Sequence, residues 1–178
     1  MLERLRYRIL NRSIKQFLAE KNGGKIPDTE RLSSMIVILE DLDKEKVRAI
    51  EERFKSVFGI SKIRLVLISE QASKDMLLSD LYCEVTTKDF GFMKVLKAEK
   101  QEEIRKLPMT QLIVNMAQKH IDIGDYLATL PHASFRVSFS KSRHYGIYDL
   151  IIESDEPSDS IKNIDALYNY LKALTGKN

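Results

Sequence analysis

Leu112, Ile113 and Val114 form an unbroken apolar run shortly after Pro108, and Met116 and Ala117 continue it beyond the polar Asn115. A strand without polar alternation is buried on both faces, which is how the middle of a layered α/β sheet reads. The stretch Gln111–Lys119 is therefore read as the central strand, with Leu112–Ala117 deepest and the other elements packed on or beside it. Ser34–Leu39 and Ile63–Ile68 repeat the pattern. Between them Val47, Ile50, Phe54 and Val57 share one face of a helix that Gly59 closes. Strand, helix, strand makes a βαβ unit with a right-handed crossover.

The remaining elements follow from punctuation and period. Ser69–Ser79 is expected to hold a short helix, Leu81–Thr87 a third strand, and Lys88–Met93 a turn with exposed aromatics. Glu99–Lys106 reads as a short charged helix ended by Pro108, and Ile123, Tyr126, Leu127 and Leu130 as a helix stopped by Pro131. Ser134–Phe139 and Ile147–Glu153 are β-rich, and the short Lys141–Gly146 between them predicts an antiparallel hairpin at a sheet edge. Ile161, Ile164, Leu167, Tyr168, Leu171 and Leu174 face inward on a last helix that ends at Gly176. The expected fold class is α/β: a three-layer, mostly parallel, Rossmann-like sheet with an antiparallel edge hairpin.

Ahead of this body stands a basic amphipathic helix. Leu2, Leu5, Ile9, Leu10, Ile14, Phe17 and Leu18 recur at three- and four-residue steps. Residues 1–25 carry seven Lys/Arg against two Glu, a balance of +5 within a net charge of +3, which leaves −2 for the rest. The chain is thus a near-neutral body with a basic arm, read as an appendage (1–25) and one α/β domain (26–178). The helix can dock on its own domain, pair with a second copy or another protein, or touch an anionic surface. Its spread bases and few aromatics argue against nucleic acid and membrane.

A chain of 178 residues buries about 70 % of its unfolded surface, enough for a core without disulfides or a structural metal. The lone Cys83 agrees, and it reads as a buried thiol acting as a small hydrophobe. No run of 18 apolar residues and no signal-like h-region occur, so a cytoplasmic location is expected.

Chemistry is thinly marked. No glycine-rich phosphate loop, His-Glu-x-x-His, Cys-x-x-Cys or Gly-x-Ser-x-Gly is present. Asp89-Phe90-Gly91 copies a kinase tripeptide without its companion motifs and is read as coincidence. Ligands of open α/β sheets sit beyond the carboxyl ends of the strands. The residues expected there are Glu40 and Asp41, Ser69 and Glu70, Asn115, Lys119, His120 and Asp122, then Ser140, Lys141, Arg143 and His144. Acids from one side and bases from the other suit a polar or anionic ligand, yet such loops are also polar simply because water solvates them. Asn115, polar inside an apolar strand, must find hydrogen bonds from the backbone or a ligand. His120 and His144 have no recognisable partner, and no metal-ligand spacing exists.

Five runs carry a resemblance: Thr87-Lys88-Asp89-Phe90-Gly91, Leu112-Ile113-Val114-Asn115, Ala133 to Phe139, Tyr148 to Ile152, and Leu167 to Lys172. In this order, over about residues 30–175, they resemble an uncharacterised family of small proteins from Bacteroidetes, known only as a domain of unknown function. The resemblance implies a cytosolic bacterial α/β protein and assigns no activity, cofactor or catalytic residue. The function expected is therefore non-catalytic binding of a partner or small ligand. The alternative is an enzyme or nucleotide- or small-anion-binding domain using the same strand ends, with ligand-binding candidates Asn115, Lys119, His120, Lys141, Arg143, Glu40 and Asp41.

Overall fold

The computed structural model describes residues 2–21, 24–70, 82–91, 95–140, 146–154, 156 and 159–176, with the backbone alone for 2–10. Among the described residues six strands form one sheet: β1 (Met35–Glu40), β2 (Ile63–Ser69), β3 (Tyr82–Thr86), β4 (Thr110–Asn115), β5 (Ala133–Ser138) and β6 (Leu150–Ile151). Five described α-helices accompany them: α1 (Leu2–Glu20), α2 (Lys44–Phe58), α3 (Ala98–Arg105), α4 (Ile121–Thr129) and α5 (Ser160–Leu174). The expected helix at Ser69–Ser79 falls mostly outside the described residues, as do Phe92 and Met93 of the expected aromatic turn.

The strand order is β3-β2-β1-β4-β5-β6, and every pair is parallel. Register sets Met35 beside both Ile63 and Leu112, so β1 and β4 are the two middle strands. Met35, Val37, Leu39, Leu112 and Val114 pack under α2 and α5. Ile36, Ile38 and Ile113 pack toward Ile14 of α1, Ile104 of α3 and Tyr126, Leu127 and Ala128 of α4. Each middle strand is covered on both faces, which is why its sequence is apolar without alternation. The chain leaves β1 toward β2 through α2 on one face, and leaves β4 toward β5 through α4 on the other. With crossovers of one hand, opposite directions require opposite faces, and a crevice opens between the carboxyl ends of β1 and β4.

Helix α2 forms as its sequence dictates. The Asp43 carboxylate accepts from the Lys46 amide at 2.8 Å, Gly59 closes the helix at φ 62, and Val47, Ile50, Phe54 and Phe58 are buried. A glycine is required at that left-handed cap. Across the layer, the Arg53 guanidinium grips Asp165 of α5 through both carboxylate oxygens, and Phe58 meets Tyr168 edge-on at 5.3 Å. Helix α5 buries Asn163, Ile164, Leu167 and Leu171, whereas Ile161 and Leu174, expected inward, are 39 % and 49 % exposed. They lie one turn outside the stripe that reaches the sheet.

The antiparallel edge hairpin does not form. β6 runs parallel to β5, with Val137 beside Leu150 and Ser138 beside Ile151. Ile147 and Tyr148, expected inside the second hairpin strand, are instead buried in the layer of α1 and α4. The chain thus dips beneath the sheet after β5 and re-enters it in the same direction, which a tight turn cannot achieve. The expected turn residues 141–145 lie outside the described residues. β4 also ends earlier than expected. The Asn115 side-chain oxygen accepts from the Ala117 amide at 3.0 Å, so the strand stops at Asn115 while Met116 and Ala117 remain buried.

The second half of α1 lies against this same face. Ile14 is buried, the Phe17 ring sits 4.6 Å from the Arg136 guanidinium, and Lys21 pairs with Asp149 at 2.8 Å with both side chains nearly covered. Arg136 is itself buried and donates to the carbonyls of Ala128, Ala133 and Pro131. Burial lowers its pKa, and the Asp149 carboxylate partly offsets that effect.

Candidate functional site

The crevice between β1 and β4 is where a doubly wound sheet places a ligand. Glu40 ends β1 on the face that carries α4. Its Oε1 accepts from the backbone amides of Gln118 and Lys119 at 2.6 Å each, and its Oε2 from the His120 amide at 2.9 Å. These are the amides that lead into α4, whose N-cap His120 makes no side-chain capping bond. Converging amides at a helix start form a ready anion seat. Here the protein's own carboxylate fills it. The equivalent seat at the start of α2 is filled by Asp43.

Asp41 follows Glu40 with φ 46, the one described non-glycine residue in the left-handed region. Aspartate tolerates that conformation better than most residues. The turn aims its Oδ2 to 3.4 Å from Lys119 Nζ and 3.6 Å from His120 Nε2. The Lys119 side chain is 72 % exposed, so its pair with Asp41 contributes little energy. Beside His120 opens a pocket of about 300 Å³ at the ends of β2 and β3, with Ile68, Val85, Phe90 and Ile123 as apolar walls and Glu70 at its margin. Two hydroxyls near it are committed elsewhere: Ser69 donates to Glu84 at 2.8 Å and Thr87 to the Glu70 carbonyl at 2.9 Å.

The sequence candidates thus divide. Glu40, Asp41, Lys119 and His120 converge. Asn115 lies beneath them, fully buried, and its amide donates to the Tyr148 hydroxyl at 2.6 Å. Tyr148 in turn donates to Asp125 of α4 at 2.8 Å. Asn115 therefore finds its partners inside the protein: the Ala117 backbone amide, and the Tyr148 side chain that the sequence reading did not name. Burial first, and then the Asp125 charge, push the Tyr148 phenol well above its ordinary range. Lys141, Arg143 and His144 lie outside the described residues. Ser140 is buried against Ser138.

Sequence reading missed Tyr148, Asp125 and Gly124. A Cβ on Gly124 would sit 2.8 Å from both polar atoms of Asn115, so glycine is what lets α4 lie over the amide. The signal available was Gly124-Asp125 inside the apolar spacing of Ile123, Tyr126 and Leu127. Cys83 is buried as expected. Burial and a hydrogen bond to Glu103 push its thiol up to about 12, which removes it as a nucleophile. Among the described residues no group of three His, Cys, Asp or Glu is placed to hold a metal ion, and no helix is long and apolar enough to cross a membrane.

A family model described as "Family of unknown function (DUF6913)" matches residues 6–174. No curated protein and no solved structure matches the chain.

Proposed function

We propose, for a chain that belongs to this family of unknown function, a non-catalytic binding role at the carboxyl edge of the sheet, directed at a neutral or cationic group rather than a phosphate. The observation that carries the reading is Glu40, whose carboxylate takes the three amides a phosphate would need. A nucleotide would have to expel a charge already bonded there. The neighbouring 300 Å³ pocket remains open, apolar-walled and bordered by Glu70 and His120. Such a pocket accepts a compact apolar body with a positive or hydrogen-bonding end. Gln118 Nε2, buried with no hydrogen-bond partner among the described residues, leaves its amide protons in this loop for a ligand or water to satisfy. The lone buried Cys83 suits a reducing compartment, which supports placing the protein in a bacterial cytoplasm. The five sequence runs favour Bacteroidetes as its source.

A titration of the full chain followed by amide NMR tests this. Benzylamine should move the amides around Thr87, His120 and Ile123, and ADP should leave Gln118–His120 unmoved. Displacement of those three amides by ADP would overturn the proposal.

A second reading, an enzyme at the same edge, draws on His120 standing 3.6 Å from Asp41 beside that pocket. It needs a nucleophile or bound water that His120 can deprotonate. The Ser69 and Thr87 hydroxyls donate to other acceptors, which favours binding over catalysis.

A further inference from the structure

The opposite edge of the sheet carries an arginine that the fold does not use. Arg64 stands on β2 in a row with Ile36 of β1 and Ile113 of β4, and the next row on that face is Val66, Ile38 and Asn115. The same row continues to Arg136 of β5, whose guanidinium is held by the carbonyls of Ala128, Ala133 and Pro131. Arg64 is half-buried, and among the described residues its guanidinium has neither an ion pair nor a hydrogen bond. A guanidinium cannot shed its proton to relieve this. Carrying a permanent charge partly out of water without a partner is unfavourable, and the stem alone would be served as well by an uncharged residue.

Arg64 lines a cleft of about 550 Å³ at the amino-terminal ends of β1, β2 and β4. Lys62 adds a second positive charge, and Ser61 and Ser34 add hydroxyls. Ser34 Oγ accepts from the Gln111 amide at 3.2 Å, which leaves its own proton free to donate. No described residue lining the cleft is acidic. Its other wall is apolar, and Met109 at the rim is 71 % exposed. A fork of guanidinium donors, an ammonium and two hydroxyls are the donor types that the oxygens of a tetrahedral oxyanion take. We infer that this cleft binds the phosphate of a small phosphomonoester whose apolar body lies along Met109. The site is separate from the carboxyl edge, where the anion seats are filled.

The test uses the full chain, amide NMR at low salt, and two probes, phenyl phosphate and inorganic phosphate. Both should shift the amides of Ser61, Lys62 and Arg64 saturably while Gln118–His120 stay put, and phenyl phosphate should bind several-fold more tightly. Arg64→Gln should weaken binding by at least about tenfold, the loss expected for one charge-assisted hydrogen-bonding group. Lys62→Gln and Ser61→Ala are exposed changes that leave the fold intact and should each weaken it a few-fold, which keeps the test valid should Arg64→Gln unfold. No saturable shift at these amides, or undiminished binding in the Lys62 and Ser61 variants, overturns the proposal. Equal affinity for the two probes overturns the phosphomonoester assignment.

Discussion

Replacing Gly124 by alanine isolates the contact that seats α4 on the central strand. In an ordinary helix the change is favourable by about 1 kcal/mol, because alanine is the better helix former. Here the new Cβ would lie 2.8 Å from Asn115 Nδ2 and Oδ1 and 3.0 Å from the Ala117 Cβ. Asn115 cannot swing away freely, since it holds the Ala117 amide and the Tyr148 hydroxyl. Either α4 lifts, at about 1–3 kcal/mol for overpacking, or a buried hydrogen bond breaks, at about 1–3 kcal/mol. Contacts as close as 2.8 Å put that cost in the upper part of the range, about 2–3 kcal/mol, so the net expectation after the helix gain is a loss of about 1–2 kcal/mol, or roughly 2–8 °C in Tm for a domain of this size. Urea unfolding at 25 °C measures it directly. The Asn115→Ala background supplies the control. With the amide gone, Gly124→Ala should become neutral or mildly stabilising, so the pair should show a coupling above about 1 kcal/mol. Gly124→Ala as stable as the wild type, or an equal cost in both backgrounds, would refute the reasoning.

Two further outcomes follow from buried ionisable groups. Cys83, with its thiol raised to about 12, should resist iodoacetamide at pH 8 in the folded protein and react promptly in urea; prompt native labelling would contradict its placement. Tyr82 is raised from 10.0 to about 12 by burial and its bond to Glu51, and Tyr148 is raised well above the ordinary phenol range by burial and Asp125. A raised phenol favours the protonated folded state. Its contribution is therefore full below pH 10 and fades as pH climbs through the folded value, between about 10 and 12 for Tyr82. Absorbance at 295 nm should show both tyrosines lagging the exposed ones, and Tyr82→Phe should flatten the stability loss in that window.

What was legible, and what was not, separates along physical lines. The apolar runs at Met35–Leu39 and Leu112–Val114 announced strands covered on both faces, and Ile63–Ile68, apolar but for Arg64, announced another strand, because hydrophobic burial acts on each residue's own side chain. Gly59 announced the end of α2 for the same local reason, while the structure shows that Asp43 caps its start. β6 was not legible, since two β-rich segments joined by a short stretch read as a hairpin unless Ile147 and Tyr148 are seen to dive beneath the sheet. The site candidates were half legible. Placing acids and bases at strand ends grouped Glu40, Asp41, Lys119 and His120, which do lie near one another, while periodicity could not say that Glu40 faces backbone amides rather than an open crevice.

The sequence by itself determined the layers, the covered middle strands and the buried thiol, all consequences of which side chains avoid water. The tertiary structure decided the direction of β6, the partners of Asn115 and the occupant of the amide seat. Those depend on which distant segments meet, and hydrogen bonds between residues 33 or 80 positions apart, such as Asn115 with Tyr148 and Glu40 with His120, leave no local pattern to read.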